Sequence, residues 1–384
     1  MEEWKECKLE DICDVRDGTH DTPKQTTDGK YLVTSKHIKG GRIDLSSAYK
    51  ISLEDFDFIN RRSKVDQWDI LISMIGTVGE ICLISEQPDF AIKNVGLIKT
   101  ENEDLAKYLY YYLKSPEAQN NISARLKGTT QQYLSLGEIR QFPIKLPPLP
   151  TQQKIAAILS SLDDKIELNN KINTNLEQQA QALFKNWFVD FEPFGGKMPE
   201  GWKETDIYSI ANIIYGSPFA SKLFNTEKNG KPIIRIRDLK DQHSDVYTPE
   251  ERDDAYLIQP KDIVVGMDGE FRPYIWGSEP GWLNQRVSVF ENKRPKGNAF
   301  LYFSIKPLLD VVEKTQVATT VIHIGKKDFD KFQITLPTED ILDKFDELTD
   351  PILDQIVANK LENRRLAELR DTLLPKLMNG EIEV

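Results

Sequence analysis

Apolar side chains recur every three or four residues from position 155 to position 183 and form one stripe along a predicted helix. Thr151 is the predicted N-cap, because the prolines at 147, 148 and 150 favour an extended backbone just before it. No proline or glycine interrupts residues 151–188. At about 1.5 Å per residue such a helix is about 55 Å long, so we expect it to be a spacer between globular regions.

A heptad pattern in this helix returns 190 residues later. Each stretch places an asparagine third among its five a positions, where it lowers the stability of a coiled coil but fixes the register. The two helices are therefore predicted to pair, and the alternative is that each covers only its own globular region. The helix-pairing residues are Ile155, Leu162, Asn169, Leu176 and Leu183 in the first helix and Phe345, Ile352, Asn359, Leu366 and Leu373 in the second.

Short segments of the first half recur in the second half in the same order. The matches include WKE (4–6) with WKE (202–204), GKYLVTSKHIK (29–39) with GKPIIRIRDLK (230–240), and QFPIKLP (141–147) with KFQITLP (331–337). The chain therefore contains a duplicated unit of globular region plus long helix. The predicted domains are 1–150, the central helix 151–188, a second globular region 189–337, and a C-terminal helix and tail 338–384.

Each globular region is predicted to mix strands and helices. Residues 69–73, 80–84 and 95–98 form short β-rich runs, whereas 104–114 has helical apolar spacing. The second copy repeats this arrangement at 262–265, 287–290 and 298–305. The expected fold class is mixed α/β.

Several function classes are excluded by missing motifs. The three cysteines form no CxxC and the four histidines show no ligand spacing, so no metal site is expected. Asp66, Asp69 and Glu80 are interpreted as solvent-facing carboxylates. The sequence has no phosphate loop, GxSxG elbow or GxGxxG, which argues against an enzyme. No membrane span or signal peptide is predicted, so a cytoplasmic protein is expected.

The net charge of -11 argues at first against a nucleic-acid partner. The excess acid is unevenly distributed, since residues 338–384 contain twelve acidic and six basic residues. The two globular regions are closer to neutral, and each retains enough Lys and Arg for a local basic face. The charge therefore does not exclude DNA binding.

This arrangement of globule, long helix, globule and long helix resembles the DNA-specificity subunit of type I restriction-modification systems. The strongest part of the resemblance is the central segment that begins LPPLPTQQKIAAILSSLDDKIELNN (146–170). The resemblance covers the whole chain and includes DGTHDTPK (17–24), LNQRV (283–287) and VIHIGKKDFDKFQITLP (321–337).

The resemblance implies two target recognition domains, each reading half of a bipartite DNA site, separated by two long helices that form an antiparallel coiled coil in a pseudo-twofold internal repeat. Domains related in this way would address major-groove faces about 34 Å apart. It implies a non-catalytic subunit whose partners are double-stranded DNA, two modification subunits with adenine methyltransferase activity, and restriction subunits. No cofactor is expected in this chain, because S-adenosylmethionine belongs to the modification subunits.

Base readout needs forked donors, amides or carboxylates on loops that face a DNA groove. Residue type and loop placement give the DNA-binding candidates Thr19, His20, Thr22, Lys24, Lys36, His37, Thr129, Thr130, Gln131, Gln132, Arg235, Arg237, Asp268, Glu270, Arg272, Asn284, Gln285, Arg286, Thr319, Thr320 and His323. The copies differ here, and Lys93-Asn94 aligns with Gln285-Arg286. The two half-sites are therefore expected to differ. The alternative function is a coiled-coil scaffold without DNA readout, favoured by the near-neutral globular regions.

Overall fold

The computed structural model describes residues 4–315 and 323–384, which divide into two compact units. Unit 1 contains Met1–Asp164 and Ala367–Val384, and unit 2 contains Lys165–Leu366. Each division falls inside a long helix, whereas the predicted domain boundaries follow the helix ends. The reason is that the two parts of each long helix pack into different hydrophobic cores.

Unit 1 is built from short strands and helices. Its strands are β1 (Lys5–Lys8), β2 (Asp14–Asp17), β3 (Lys30–Thr34), β4 (Ile38–Lys39), β5 (Arg42–Ile43), β6 (Lys50–Ile51), β7 (Ile70–Ser73), β8 (Ile81–Leu83), β9 (Phe90–Lys93), β10 (Val95–Lys99) and β11 (Pro143–Leu146). Its helices are α1 (Leu9–Ile12), α2 (Leu53–Ser63), α3 (Glu103–Lys114), α4 (Pro116–Ala124), α5 (Leu136–Arg140) and the long helix α6 (Leu149–Phe188), which continues into unit 2.

Unit 2 is also built from short strands and helices. Its strands are β12 (Lys203–Asp206), β13 (Ala211–Tyr215), β14 (Lys231–Ile234), β15 (Tyr247–Thr248), β16 (Leu257–Ile258), β17 (Ile263–Gly266), β18 (Pro273–Ile275), β19 (Gly281–Leu283), β20 (Val287–Asn292) and β21 (Gln333–Leu336). Its helices are α7 (Ile236–Leu239), α8 (Asn298–Thr315), α9 (Lys326–Phe329) and the long helix α10 (Glu339–Met378), which ends in unit 1.

The sheets show that the two units are copies of one fold. The order β2-β10-β7-β8 in unit 1 matches β13-β20-β17-β18 in unit 2, and β1-β11 matches β12-β21. The only parallel pairs among the described strands are also equivalent, since β3 pairs with β9 and β14 pairs with β19. The predicted mixed α/β fold and its internal duplication are confirmed.

Helix α6 begins two residues earlier than the sequence predicts. It starts at Leu149, and the backbone N–H groups of Thr151 and Gln152 already donate to Pro148 O at 2.9 and 3.0 Å. Thr151 is therefore not the N-cap. Pro150 fits this first turn, because a residue there needs no intrahelical N–H bond.

The long helices pair within each unit. In unit 1, Asp163 of α6 accepts hydrogen bonds from Tyr111 of α3 at 2.8 Å and from Arg370 of α10 at 2.6 Å. In unit 2, Phe188 of α6 packs against Phe345 of α10, with ring centroids 4.8 Å apart. The ten helix-pairing residues are all buried or half-buried.

An asparagine layer joins the helices in unit 2, and its partners differ from those a heptad pattern suggests. Asn169 Nδ2 donates to Asn363 Oδ1 at 2.8 Å, and Asn359 Nδ2 donates to Asn173 Oδ1 at 2.8 Å. Because Asn359 and Asn363 lie 190 residues after Asn169 and Asn173, the two hydrogen bonds are equivalent by the repeat. The helices therefore run antiparallel with local twofold symmetry, and the heptad pattern does not predict the partners Asn173 and Asn363.

Candidate nucleic-acid interface

Three segments of unit 1 meet at one end of its four-stranded sheet: the stretch after β2, the turn between β9 and β10, and the loop after β7. The backbone N–H of Thr19 donates to Ile92 O at 3.0 Å, and that of Asn94 donates to Thr19 O at 3.1 Å. Leu134 N–H donates to Met74 O at 2.9 Å and fixes the preceding hairpin beside the same loop. We name this surface face 1 and define it as residues 19–22, 75, 93–94 and 127–133.

Unit 2 builds the same surface with the same backbone hydrogen bonds. Ser217 N–H donates to Leu283 O at 3.1 Å, Gln285 N–H donates to Ser217 O at 3.0 Å, and Ile324 N–H donates to Met267 O at 2.9 Å. We name this surface face 2 and define it as residues 217, 268–272, 284–286 and 323.

A glycine permits the close backbone approach in both faces. The N–H of Gly18 donates to Val95 O and that of Gly216 to Val287 O, each at 2.9 Å. A Cβ atom on Gly18 would overlap the carbonyl of Ile92, and one on Gly216 would overlap the carbonyl of Asn284. Both positions therefore require glycine, as expected where two backbone segments touch.

The turn in face 2 is one residue longer than its counterpart. Between equivalent hydrogen-bonded positions, face 1 has two residues (93–94) and face 2 has three (284–286). The N–H hydrogen bonds pair Asn94 with Gln285, whereas the left-handed φ of 52° at Asn94 and 72° at Arg286 pairs these two residues, as the sequence alignment does. The turn of face 2 therefore has one additional residue between Leu283 and Arg286.

The additional residue changes how one backbone N–H is satisfied. In face 2, Met267 N–H donates directly to Arg286 O at 2.8 Å. In unit 1 the equivalent Met74 N–H donates to the Ser35 hydroxyl at 3.1 Å, which itself donates to Asn94 O at 2.9 Å. The buried Ser35 hydroxyl in unit 1 thus takes the place of the Arg286 backbone carbonyl, which accepts the equivalent N–H in unit 2.

The polar side chains of face 1 are held by a small network. His20 Nε2 donates to Asp17 at 2.9 Å, and Nδ1 lies 2.7 Å from Asn94 Oδ1. Asp17 is buried and also pairs with Arg62 of α2, while Lys93 donates to the Thr22 hydroxyl. His20 and Thr22 are exposed in spite of these contacts, and the tip residues Thr129, Thr130, Gln131 and Gln132 are exposed as well.

The polar side chains of face 2 form a different cluster at equivalent positions. Asp268 accepts a hydrogen bond from His323 Nδ1 at 2.6 Å and lies 3.8 Å from Arg286 Nε. Asp268 and His323 are paired by an isolated β-bridge, as Ile75 and Tyr133 are in face 1. The same backbone therefore presents an isoleucine and a tyrosine in one face and a hydrogen-bonded aspartate and histidine in the other.

The remaining candidates of face 2 are divided between surface and interior. Glu270 lies 3.6 Å from Arg272, and both are exposed, as is Gln285. Asn284 is buried, and its Oδ1 accepts the Gln285 N–H at 2.8 Å. Asn284 thus shapes the turn. It was predicted to be a surface residue that contacts DNA, but its side chain is buried.

His37 does not reach the surface either, contrary to the prediction. Its side chain is buried and Nδ1 accepts the N–H of Thr34 at 2.9 Å. Burial and the neighbouring Lys36 lower the pKa of the imidazole, which favours this neutral acceptor. Asp238 has the same role in unit 2, where it accepts the N–H of Arg235 at 2.9 Å.

The other candidates lie outside the two faces. Arg235 is half-buried with Nε 2.8 Å from Asp238, whereas Lys24, Lys36 and Arg237 are exposed. Thr319 and Thr320 lie outside the described residues.

Ile75 and Tyr133 are face residues that the predicted candidates do not include. The signal was present, because the 190-residue offset that aligns Thr129 with Thr319 also aligns Tyr133 with His323.

A cavity of about 730 Å³ in unit 2 is a second place where chemistry is conceivable. Its half-buried lysine, Lys360, donates to Ile275 O at 3.0 Å, and desolvation lowers the pKa of that ammonium to about 8. Glu177 accepts from Tyr302 at 3.1 Å and from Lys306 at 3.2 Å. These groups are hydrogen-bonded to one another and to the backbone. We therefore assign no chemical role to the cavity.

The described residues contain no cluster of His, Cys, Asp or Glu with the geometry to hold a metal ion. Asp69 was predicted to face solvent, and this prediction is wrong. It is fully buried, lies 2.7 Å from Lys99 Nζ and accepts the N–H of Asp66. Within 4–315 and 323–384, the helices also include none that is both long and apolar enough to cross a membrane.

Comparison with known proteins identifies relatives along the whole chain. The MjaIX type I restriction enzyme specificity subunit of Methanocaldococcus jannaschii is 26% identical over 100% of this chain and 94% of its own. The HindI specificity subunit of Haemophilus influenzae is 26% identical over 72% of this chain and 78% of its own. The crystal structure of a type I restriction-modification S subunit from M. genitalium has a TM-score of 0.57 at 18% identity, covers 97% of this chain and 96% of that one, and supports the fold.

The family match covers both copies separately. Residues 1–178 and 199–371 each match the family described as type I restriction modification DNA specificity domain. These two ranges contain the described residues of faces 1 and 2 and most of both long helices. The chain therefore belongs to the family of type I restriction-modification specificity subunits, which recognise DNA by sequence, and the predicted family is confirmed.

Proposed function

We propose that this chain is a non-catalytic subunit that reads an asymmetric, bipartite DNA site, with face 1 contacting one half and face 2 the other. One observation carries the proposal: the faces share their backbone hydrogen bonds but present different side chains at equivalent positions. Two DNA-binding surfaces that dock in the same way but prefer different sequences need a shared backbone and different exposed side chains.

Different candidate residues have different roles in this proposal. Exposed lysines such as Lys24 and Lys36 contact phosphates and supply affinity that falls steeply with salt. Exposed amides, hydroxyls and guanidinium groups on the faces contact base edges and supply discrimination. Removal of a phosphate contact then weakens binding to all sequences alike, whereas removal of a base contact changes the preferred sequence.

The long helices set the unread gap and bind two modification subunits in this proposal. Support comes from the relatives, which are named as specificity subunits of restriction enzymes. Leu168 and Ile172 on α6 are 52% and 37% exposed and offer apolar surface to such a partner. Methyl transfer with S-adenosylmethionine and DNA cleavage belong to the modification and restriction subunits, all acting on DNA in the cytoplasm.

The test is methylome sequencing of a host that carries this chain with its cognate modification subunits, beside a host that lacks only this chain. A gapped, asymmetric adenine-methylated motif is expected in the first host alone. Replacement of residues 1–150 by those of a relative should then change only one half of the motif.

Identical methylation in both hosts would contradict the proposal and favour the scaffold alternative. DNA binding by the full chain distinguishes the two further. A reader loses affinity about tenfold or more between low and moderate salt because phosphate counterions are displaced, whereas a scaffold without DNA contacts shows no such binding.

A further inference from the structure

Arg286 occupies a backbone position that favours glycine. Its φ is 72°, in the left-handed region where side chains are strained. Its backbone carbonyl accepts a hydrogen bond from Met267 N–H at 2.8 Å. Any residue at this position would supply that carbonyl. The backbone therefore does not require arginine at this position.

The guanidinium group of Arg286 is held from one side only. Nε lies 3.8 Å from Asp268 Oδ2 and Nη1 lies 3.5 Å from His323 Nε2, the ring nitrogen that can accept. His323 in turn donates to the other Asp268 oxygen at 2.6 Å, which fixes the carboxylate. The Arg286 side chain remains 56% exposed, so part of its donor fork faces solvent.

A carboxylate next to this arginine does not serve phosphate binding, because it repels phosphates and neutralises part of the positive charge. It does restrict the orientation of a planar donor group. An oriented fork with two parallel N–H donors matches O6 and N7 of guanine in the major groove. The geometry of the cluster is thus suited to discrimination between bases.

We propose that Arg286 is a specificity-determining residue that reads a guanine in the half-site of unit 2, and that Asp268 is the residue that positions it. The inference rests on the proposed function. At the left-handed position that Arg286 occupies, face 1 has Asn94, and it has Ile75 and Tyr133 in place of Asp268 and His323. A guanine contact of this type therefore belongs to one half-site only.

The test uses the full chain with its modification subunits and measures methylation of a set of sites that differ at each position of the unit 2 half. Exchange of residues 1–150 first identifies that half. Arg286→Gly should reduce the preference for guanine at one position about 10- to 100-fold, which is the range for loss of a bidentate contact, and should leave the other half unchanged. Arg286→Lys, which keeps the charge and folds without a new backbone demand, should also lose most of the preference.

Lys228→Gly is the matched control. Lys228 is exposed in unit 2, has a φ of 58° and lies in the turn before β14, outside face 2. Both glycine variants should keep or raise the melting temperature, because glycine relieves the backbone strain, but only Arg286→Gly should change base preference. Asp268→Asn should lower the guanine preference while keeping or raising affinity for unrelated DNA, a combination that a merely structural role would not produce.

Three results would overturn the inference alone: a unit 2 half-site without a G·C pair, an unchanged preference in folded Arg286→Gly and Arg286→Lys, or an equal loss in Lys228→Gly. Absence of any motif that depends on the wild-type chain would overturn the proposed function and this inference with it.

Discussion

Faces 1 and 2 have the same backbone scaffold and different chemistry. Equivalent N–H and carbonyl groups bond across each face, and a glycine stands at the same close approach in both. At the positions where Ile75 and Tyr133 meet in face 1, Asp268 and His323 meet in face 2. The comparison teaches that the duplicated fold is fixed by its backbone contacts, whereas the side chains on those contacts are free to differ.

The first prediction tests whether the two scaffolds are equivalent. Gly18→Ala and Gly216→Ala should each destabilise the chain by about 3 kcal/mol, because a Cβ would overlap a backbone carbonyl that cannot rotate away. Urea denaturation of the full chain measures both losses.

Gly137→Ala is the control for these variants. Gly137 lies in α5, and a Cβ atom placed on it would have Ser135 Oγ at 4.0 Å as its nearest neighbour, so its substitution should cost little or add stability. A large loss for only one of Gly18 and Gly216 would show that the two faces are not held in the same way.

The second prediction concerns the point where the scaffolds diverge. Ser35→Ala should destabilise unit 1 by about 2 kcal/mol, because it leaves the buried N–H of Met74 without its acceptor. Insertion of one glycine after Asn94 in this variant should recover part of the loss, since the longer turn supplies a carbonyl as Arg286 does. Thermal and urea denaturation measure both effects.

Ser123→Ala, on the exposed side of α4, is the control and should be within about 0.5 kcal/mol of wild type. If the insertion deepened the loss caused by Ser35→Ala, the hydroxyl would not be replacing a carbonyl.

The third and smallest prediction compares the two equivalent bonds of the asparagine layer. Asn169→Leu should raise stability by about 1 kcal/mol, because its buried Oδ1 has no hydrogen-bond partner and Asn363 is half-exposed to water. Asn173→Leu should instead lower it by about 1 kcal/mol, since Asn359 is buried and loses its acceptor. Melting temperatures of the two variants measure the difference, and equal signs would contradict it.

The sequence was sufficient for the long helices and for the duplication, because both are expressed in spacing. A stripe over some forty residues and a 190-residue offset survive errors at single positions. The predicted strands at 69–73, 80–84 and 95–98 correspond to β7, β8 and β10 for the same reason.

Single residues were less predictable where a tertiary hydrogen bond decides the role. His37 looks like a loop histidine in sequence, yet it caps the turn after β3 and is buried. The additional residue in the turn of face 2 was not predicted, because residue types around the turn align without a gap and only the backbone hydrogen bonds show that this turn is longer. Ser35 compensates for the shorter turn of face 1. No sequence pattern around Ser35 indicates this role.

The exchange between a hydroxyl and a carbonyl has a consequence for how such proteins change over generations. One codon gained or lost in the turn, together with one substitution at the position of Ser35, converts one arrangement into the other and leaves the sheet intact. An intermediate that has both the longer turn and the serine offers two acceptors to the same methionine N–H. The route therefore passes through folded proteins at each step, and a lineage can acquire a new exposed side chain there by two ordinary genetic events.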